Sequence, residues 1–271
     1  MVKQKKAGYL ILATILAIFY IAPFAVVLVN SLKGRLEVLR DPIAFPTQLD
    51  MANYTAAWEK MSYPVAFMNS LLVTVVALAV LTIFPAMMGY YLARFETRFT
   101  KFIYGLLIVS MIIPFQALMI PFVSIYGRLD MLNSRAALIY FYLGFGVSLS
   151  TFLYQGFIQN IPIALDESAA IEGASKLQIF WRVIFPLLKP IFTTSLILNA
   201  LWIWNDFLLP SLVLFQGART LPLTAFSFYG QYTSQYGQAM AGLVLSIIPI
   251  IVFYIALQRN IIDGITEGAV K

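Results

Sequence analysis

Two sets of polar residues stand out of an otherwise apolar chain, and their types and spacing limit what it can do. Ser195, Asn199, Trp202 and Asp206 follow i, i+4, i+7 and i+11, so they share one face of a helix, with Asn205 beside them. An indole ring against C–H faces, with amide and carboxylate groups against hydroxyls, is the pairing a sugar needs. An aspartate inside an apolar segment is a functional candidate by default. The same groups also fasten helices together, at roughly 0.6–2 kcal/mol each, and the stripe is open to that reading too. The second set is Asp166, Glu167, Glu172, Lys176, Arg182 and Lys189, within residues 161–190. Each charge would cost about 2.5–3.5 kcal/mol at the centre of a bilayer, so this run faces water.

Other chemistry is absent from the sequence. The chain has no histidine and no cysteine, which removes disulfides, the common Cys/His zinc sites, histidine proton relays and Ser/His/Asp or Cys/His nucleophiles. There is no G-x-x-x-x-G-K-[ST] run, so no phosphate cradle. We expect no metal, no cofactor and no ATP site on this chain. Its work must be conformational.

The charged run reads as built structure. Pro162 opens it, and Asp166 is a candidate N-cap with Glu167 and Glu172 nearby. Gly173 closes that turn in the manner of a C′ glycine. A short amphipathic segment, 177–181, follows, and then Pro186 and Pro190. The two short helices would make a docking knob with one apolar and one charged side.

The elements that must position these residues are membrane spans. The chain is 61% hydrophobic and 11% charged, with mean hydropathy +0.85, which is outside the globular range and marks a polytopic membrane protein. Six apolar stretches are expected: 7–29, 64–93, 102–126, 136–159, 183–210 and 239–257. The first reads as an uncleaved span. Pro85, Pro114, Pro121 and Pro249 fall inside spans and mark bends. Small and hydroxyl residues on the fourth span (Gly144, Ser148, Thr151, Gln155) and on the third (Ser110, Ala117) suit helix packing. With both termini in the cytosol, inner segments hold 11 basic residues and the longer outer loops 7. The positive-inside rule therefore gives N-in, C-in, and it explains the net charge of +6 without nucleic acid. The fold class is all-α, a single transmembrane domain over 1–271, with outer loops 30–63 and 211–238. The latter loop carries Tyr229, Gln231, Tyr232, Gln235 and Tyr236, a cluster suited either to the membrane interface or to contact with a partner.

Glu167-Ser168-Ala169, Gly173 and the Ile184-Phe185-Pro186 step resemble the E-A-A-x-x-x-G loop of bacterial ABC-importer permeases, most closely the carbohydrate branch. Ser168 stands where the family has alanine, and Glu172 where aspartate is common. The tail 264–271 is similar to the ending of one of the two permease subunits of sugar importers, with Glu267 in place of the usual alanine. The resemblance implies a type I importer permease in a bacterial or archaeal cytoplasmic membrane. It implies that Glu167, Ser168, Ala169, Glu172 and Gly173, within a 163–181 loop, seat in an ATPase subunit. It further implies a second homologous permease, two ATPase subunits that hold ATP and Mg, and an extracytoplasmic sugar-binding protein facing the 211–238 loop. Two rivals remain at this stage, an ion-gradient-driven secondary transporter and an ABC permease for another solute. The first calls for buried ionisable pairs at the midplane, where this chain has Asp206 alone.

Overall fold

A computed structural model describes residues 2–215, 217–228 and 235–269, with side chains described over 8–215, 217–228 and 235–256. All its described elements are helical. They are α1 (Val2–Ser31), α2 (Arg35–Arg40), α3 (Ala52–Lys60), α4 (Tyr63–Arg94), α5 (Arg98–Ile112), α6 (Phe115–Arg128), α7 (Arg135–Ile158), α8 (Ala164–Ile171) and α9 (Lys176–Ile179). A π-helical turn, Phe180–Ile184, leads to α10 (Phe185–Leu187), α11 (Lys189–Asn205), α12 (Leu208–Val213), α13 (Leu221–Ala225), a 3₁₀ turn Phe226–Phe228, and α14 (Tyr236–Ala269). Four stretches are continuous and apolar enough to cross a membrane: Gly8–Ser31, Tyr63–Arg94, Arg135–Ile158 and Tyr236–Ala256. Two bent pairs, Arg98–Ile112 with Phe115–Arg128 and Lys176–Leu187 with Lys189–Asn205, bring the number to as many as six when each pair is counted as one span.

The bend in the third span falls at Pro114, one of the prolines expected to mark bends, whereas the bend in the fifth span answers to no expectation from the sequence. The first pair turns by 101° at Ile113 and Pro114, where Pro114 is extended (ψ 133°) and has no N–H to continue the helix. The second turns by 78° at Leu188, and α11 ends at Asn205 with Asp206 extended (ψ 129°). Pro85, Pro121 and Pro249 instead lie inside unbroken helices.

Contacts divide the chain into two units. One comprises Met1–Ala66 and Leu221–Pro249. Its α1 is exposed along the apolar stretch 8–26 and buried at Asn30 and Ser31, and polar bonds close the segment that follows. Asn53 Nδ2 donates to the carbonyls of Ser31 (3.0 Å) and Lys33 (2.9 Å), and the buried Lys33 ammonium donates to Asp41 O at 2.9 Å. The backbone N–H of Thr47 holds the Glu37 carboxyl below its ordinary range, and those of Ile43 and Ala44 do the same for Asp41. These depressed values stabilise the loop at neutral pH, and the contribution is lost as pH falls through them. A Cβ on Gly237 would lie 2.7 Å from both Lys33 O and Asn53 Nδ2, so the first turn of α14 needs glycine there.

The other unit, Phe67–Thr220 with Ile250–Lys271, is built around α7. Ser134 caps this helix, accepting from the N–H of Ala137, and eleven of its residues are buried, enough to place neighbours on several sides. Ser148 Oγ meets Ser110 Oγ of α5 at 2.7 Å, and Ser150 Oγ accepts from Asn199 Nδ2 of α11 at 2.9 Å. Against α4 the approach is closer still, because a Cβ on Gly89 would sit 2.9 Å from Gln155 N and Tyr154 Cβ. Ser110 and Ser148 thus do pack α5 against α7, as their spacing indicates, whereas Gly144 has nothing within 4 Å of where a Cβ would be.

Candidate functional site

The charged run 161–190 folds as a platform at the ends of α4 and α7. Its inner side is apolar: Ile161, Ile179, Phe180, Ile184 and Leu188 are buried against Ala86, Tyr90, Tyr154 and Ile158, with Ala169 and Ala174 half-buried at the edge. The opposite side of α8 exposes Glu167, Ser168, Glu172 and Gly173, together with Ile163 and an Ile171 that is 87% exposed. Ile171 and Ile163 are thus apolar residues exposed beside acidic groups on the outer side of α8. Ala169 is small because it lies on the inner side.

Both ends of this platform are fixed. Gly173 has φ +87°, its N–H bonds Ala170 O, and the Ala174 N–H bonds Ala169 O, which together form a complete Schellman motif. Ser175 then starts α9 with a capping box, its hydroxyl accepting from Gln178 N while Gln178 Oε1 accepts from Ser175 N at 2.7 Å. The S-x-x-Q spacing of Ser175 and Gln178 is the sequence signal of this cap. Five residues of π-helix follow, with the Phe185 N–H reaching back to Phe180 O.

Asp166 is not the N-cap. That position is Ile163, with no side-chain bond, and Asp166 sits on the third residue of α8, where its carboxylate turns inward. Tyr90 OH donates to its Oδ1 at 2.7 Å, and the Arg94 guanidinium lies 3.1 Å from its Oδ2. A buried basic partner competes better for this carboxylate than an exposed turn of backbone N–H groups. Arg94 and Tyr90 were missed because nothing in residues 85–101 foretells their approach to residue 166.

The stripe on α11 divides. Ser195 and Asn199 are buried between α11 and α7, where Asn199 Nδ2 donates to Ser150 Oγ, to Ser195 O (2.8 Å) and to Ser195 Oγ (3.3 Å). In this conformation they join helices and face no open passage. Trp202 is 39% exposed, stands edge-on to Tyr142 at 5.4 Å, and covers α7 at Gly146, where a Cβ would be 3.2 Å from its Cζ3. Asn205 is exposed and donates to Leu201 O at 2.8 Å. Asp206 is half-buried past the helix end, accepting from Tyr142 OH at 2.9 Å and from Leu208 N at 2.9 Å. The carboxylate therefore staples α11 to α7 and opens α12. Trp202 and Asn205 thus remain exposed, and Asp206 half-buried.

In the 211–238 loop, Tyr229, Gln231 and Tyr232 lie outside the described residues. Gln235 accepts from Lys60 Nζ at 3.3 Å, and Tyr236 is half-buried at the first residue of α14. A cavity of about 520 Å³ lies among Met87, Tyr91, Phe95, Phe99, Leu177 and Phe180, with Lys176 Nζ 4.4 Å above the Phe95 ring. Its exposed walls are almost wholly apolar, a poor match to a polyhydroxylated solute. Among the described residues no cluster of acidic groups could hold a metal ion.

Residues 85–267 match the binding-protein-dependent transport system inner membrane component family. The chain belongs to this family of multi-pass membrane transport subunits. It is 43% identical over 261 residues to a probable starch degradation products transport system permease protein of Thermoanaerobacterium thermosulfurigenes, covering 96% of this chain and 95% of that one. It is 37% identical over 279 residues to a multiple sugar-binding transport system permease protein of Streptococcus mutans, across 100% of both chains. Its fold is that of a chain in the crystal structure of a bacterial ABC transporter that imports alginate, with TM-score 0.78 and 20% identity over 95% of this chain and 96% of that one.

Proposed function

We propose that this chain is one permease subunit of an ATP-driven, binding-protein-dependent importer of sugars or oligosaccharides. It forms half of the translocation pathway with a second, homologous permease. Two ATPase subunits, which hold ATP and Mg, work on it through the 163–181 loop, and an extracytoplasmic sugar-binding protein delivers the solute to the 211–238 side. Both termini and α8 lie in the cytosol of a bacterial or archaeal cell, as the distribution of basic residues favours.

The observation that carries the reading is the outer side of α8. Glu167, Glu172 and an exposed Ile171 stand on a helix whose end is fixed by Gly173 and whose other side is anchored in the apolar ends of α4 and α7. That is a braced knob whose outer side is exposed among the described residues. ATP-driven closure of the ATPase pair pulls two such knobs together, opens the pathway outward, and hydrolysis resets it. The names of the similar permeases support sugars as the solute class over other solutes. A secondary transporter has no use for such a knob. The deciding experiment is co-purification of an ATPase subunit with the wild-type chain, and its loss with Glu167→Lys. Recovery of the chain with no ATPase from membranes that express both would end this reading.

A further inference from the structure

We propose that Arg94 is a positioning residue of the coupling apparatus, the joint through which movement of α8 reaches α4 and α7. The proposal rests on α8 being the element that seats in an ATPase.

Arg94 is the last residue of α4. Its Nη2 donates to Ile161 O at 3.0 Å and lies 3.1 Å from Asp166 Oδ2, and its Nη1 reaches Ile158 O at 3.3 Å. Ile158 is the last residue of α7, and Asp166 belongs to α8. One guanidinium therefore grips three elements, a task for a planar fork of five donors that a lysine ammonium cannot perform. One turn earlier, Tyr90 holds the other oxygen of the same carboxylate at 2.7 Å.

The junction is withdrawn from water, its two charged side chains being 8% and 13% exposed, whereas the Lys101–Glu96 pair nearby is 68% and 65% exposed. It is also incompletely bonded. Arg94 Nε and Asp166 Oδ2 are buried with no hydrogen bond, so the contact with Oδ2 is one of charge alone. A buried pair with unsatisfied atoms is a poor means of gaining stability. It is a good means of fixing the azimuth of α8 against α4, because both its charges point away from the exposed side of α8. Force applied to Glu167 and Ile171 then has a polar route into the spans besides the apolar contacts of Ile179 and Phe180.

The test uses the whole reconstituted complex, with both permeases, the ATPase and the binding protein, and a mixture of malto- and raffinose-type oligosaccharides as the probe. Asp166→Asn keeps an acceptor for Tyr90 and removes the charge. Arg94→Lys keeps the charge and loses the fork. The pair Arg94→Met with Asp166→Leu leaves no buried charge unmatched, so it assembles even if the single variants do not. We expect near wild-type recovery and basal ATP hydrolysis. Stimulation of hydrolysis by the loaded binding protein should fall roughly three- to thirtyfold, with no further loss in the double variant. Normal stimulation in Asp166→Asn and in the double variant overturns the joint, as does a loss of basal and stimulated rates in step with recovery, the mark of a mere strut. Glu167→Lys run alongside separates the two readings. If it uncouples while Asp166→Asn does not, only the joint falls. If it too stays coupled, the assignment of α8 falls and the joint with it.

Discussion

Gly173 and Asp206 respond to substitution in opposite ways. Gly173 stands at φ +87° with nothing within 4 Å of where a Cβ would be. The cost of Gly173→Val is thus conformational, about 1–3 kcal/mol confined to the end of α8, and the bundle is untouched. Uptake should fall in Gly173→Val while the amount of protein recovered from the membrane holds; wild-type uptake in that variant and in Glu167→Lys would falsify the role of the loop. Asp206 bonds Tyr142 and Leu208; Asp206→Asn keeps an acceptor for the Leu208 N–H and offers its amide N–H to the Tyr142 hydroxyl, which can accept, so it should assemble normally. Asp206→Leu strands the buried Tyr142 hydroxyl, about 1–3 kcal/mol, and should lower recovery. Uptake per recovered complex then isolates transport: a deficit in Asp206→Asn and Trp202→Ala places them on the solute's path, and equal values in both remove them from it. The glycine was legible because helix termination is local chemistry. The place of Asp166 was not, because its partner Tyr90 is 76 residues away and long-range pairing leaves no mark on either neighbourhood.

Elements were legible in number and extent wherever length and apolarity decide, as in α4 and α7, whose ends fall within a residue or two of those expected. Bends were not. Of the four prolines expected to bend spans, only Pro114 stands at a break, while Leu188, an ordinary residue, sits at a 78° turn. Proline removes one bond, and whether the helix then breaks is settled by what packs beside it. Seams between elements give a sharper expectation. A side chain on Gly89 would meet the backbone of α7, which cannot move aside as a flexible side chain could, whereas Gly144, on α7 itself, has open space. Gly89→Leu should therefore sharply reduce recovered complex. Gly144→Ala should be neutral, or stabilise α7 by about 0.5–1 kcal/mol. Thermal unfolding and yield of the purified complex check both, and a well-assembled Gly89→Leu protein would mean that α4 and α7 part more easily than this contact implies.

For the molecule as a whole, orientation and partners are the open properties. The absence of cysteine makes single-cysteine labelling clean. Ile171→Cys, at a position 87% exposed, should react with a membrane-impermeant maleimide only from the cytosolic face, and Thr47→Cys only from outside. The reverse pattern would invert the chain in the bilayer and put α8 out of any ATPase's reach. Deleting 229–235 should impair stimulation by the binding protein while the ATPase still co-purifies; unaltered stimulation would reduce that loop to an interfacial belt. The class was legible here because hydropathy acts over twenty residues at a time. Partner surfaces were less so, because an exposed apolar helix such as α1 reads the same whether lipid or protein covers it.

The π-helical turn between the platform and α11 holds one residue more than an α-helical turn would need. Loss of a single codon anywhere in 180–184 would let that turn relax to α-helix without exposing any backbone group. Five residues of π-helix and four of α-helix wind through nearly the same angle, so α8 would keep its azimuth relative to everything downstream. A codon lost from the regular helix of α11 has no such slack, and would turn everything before it by about 100°. A screen of three-nucleotide deletions should find its transport-competent members clustered in the five codons of the turn.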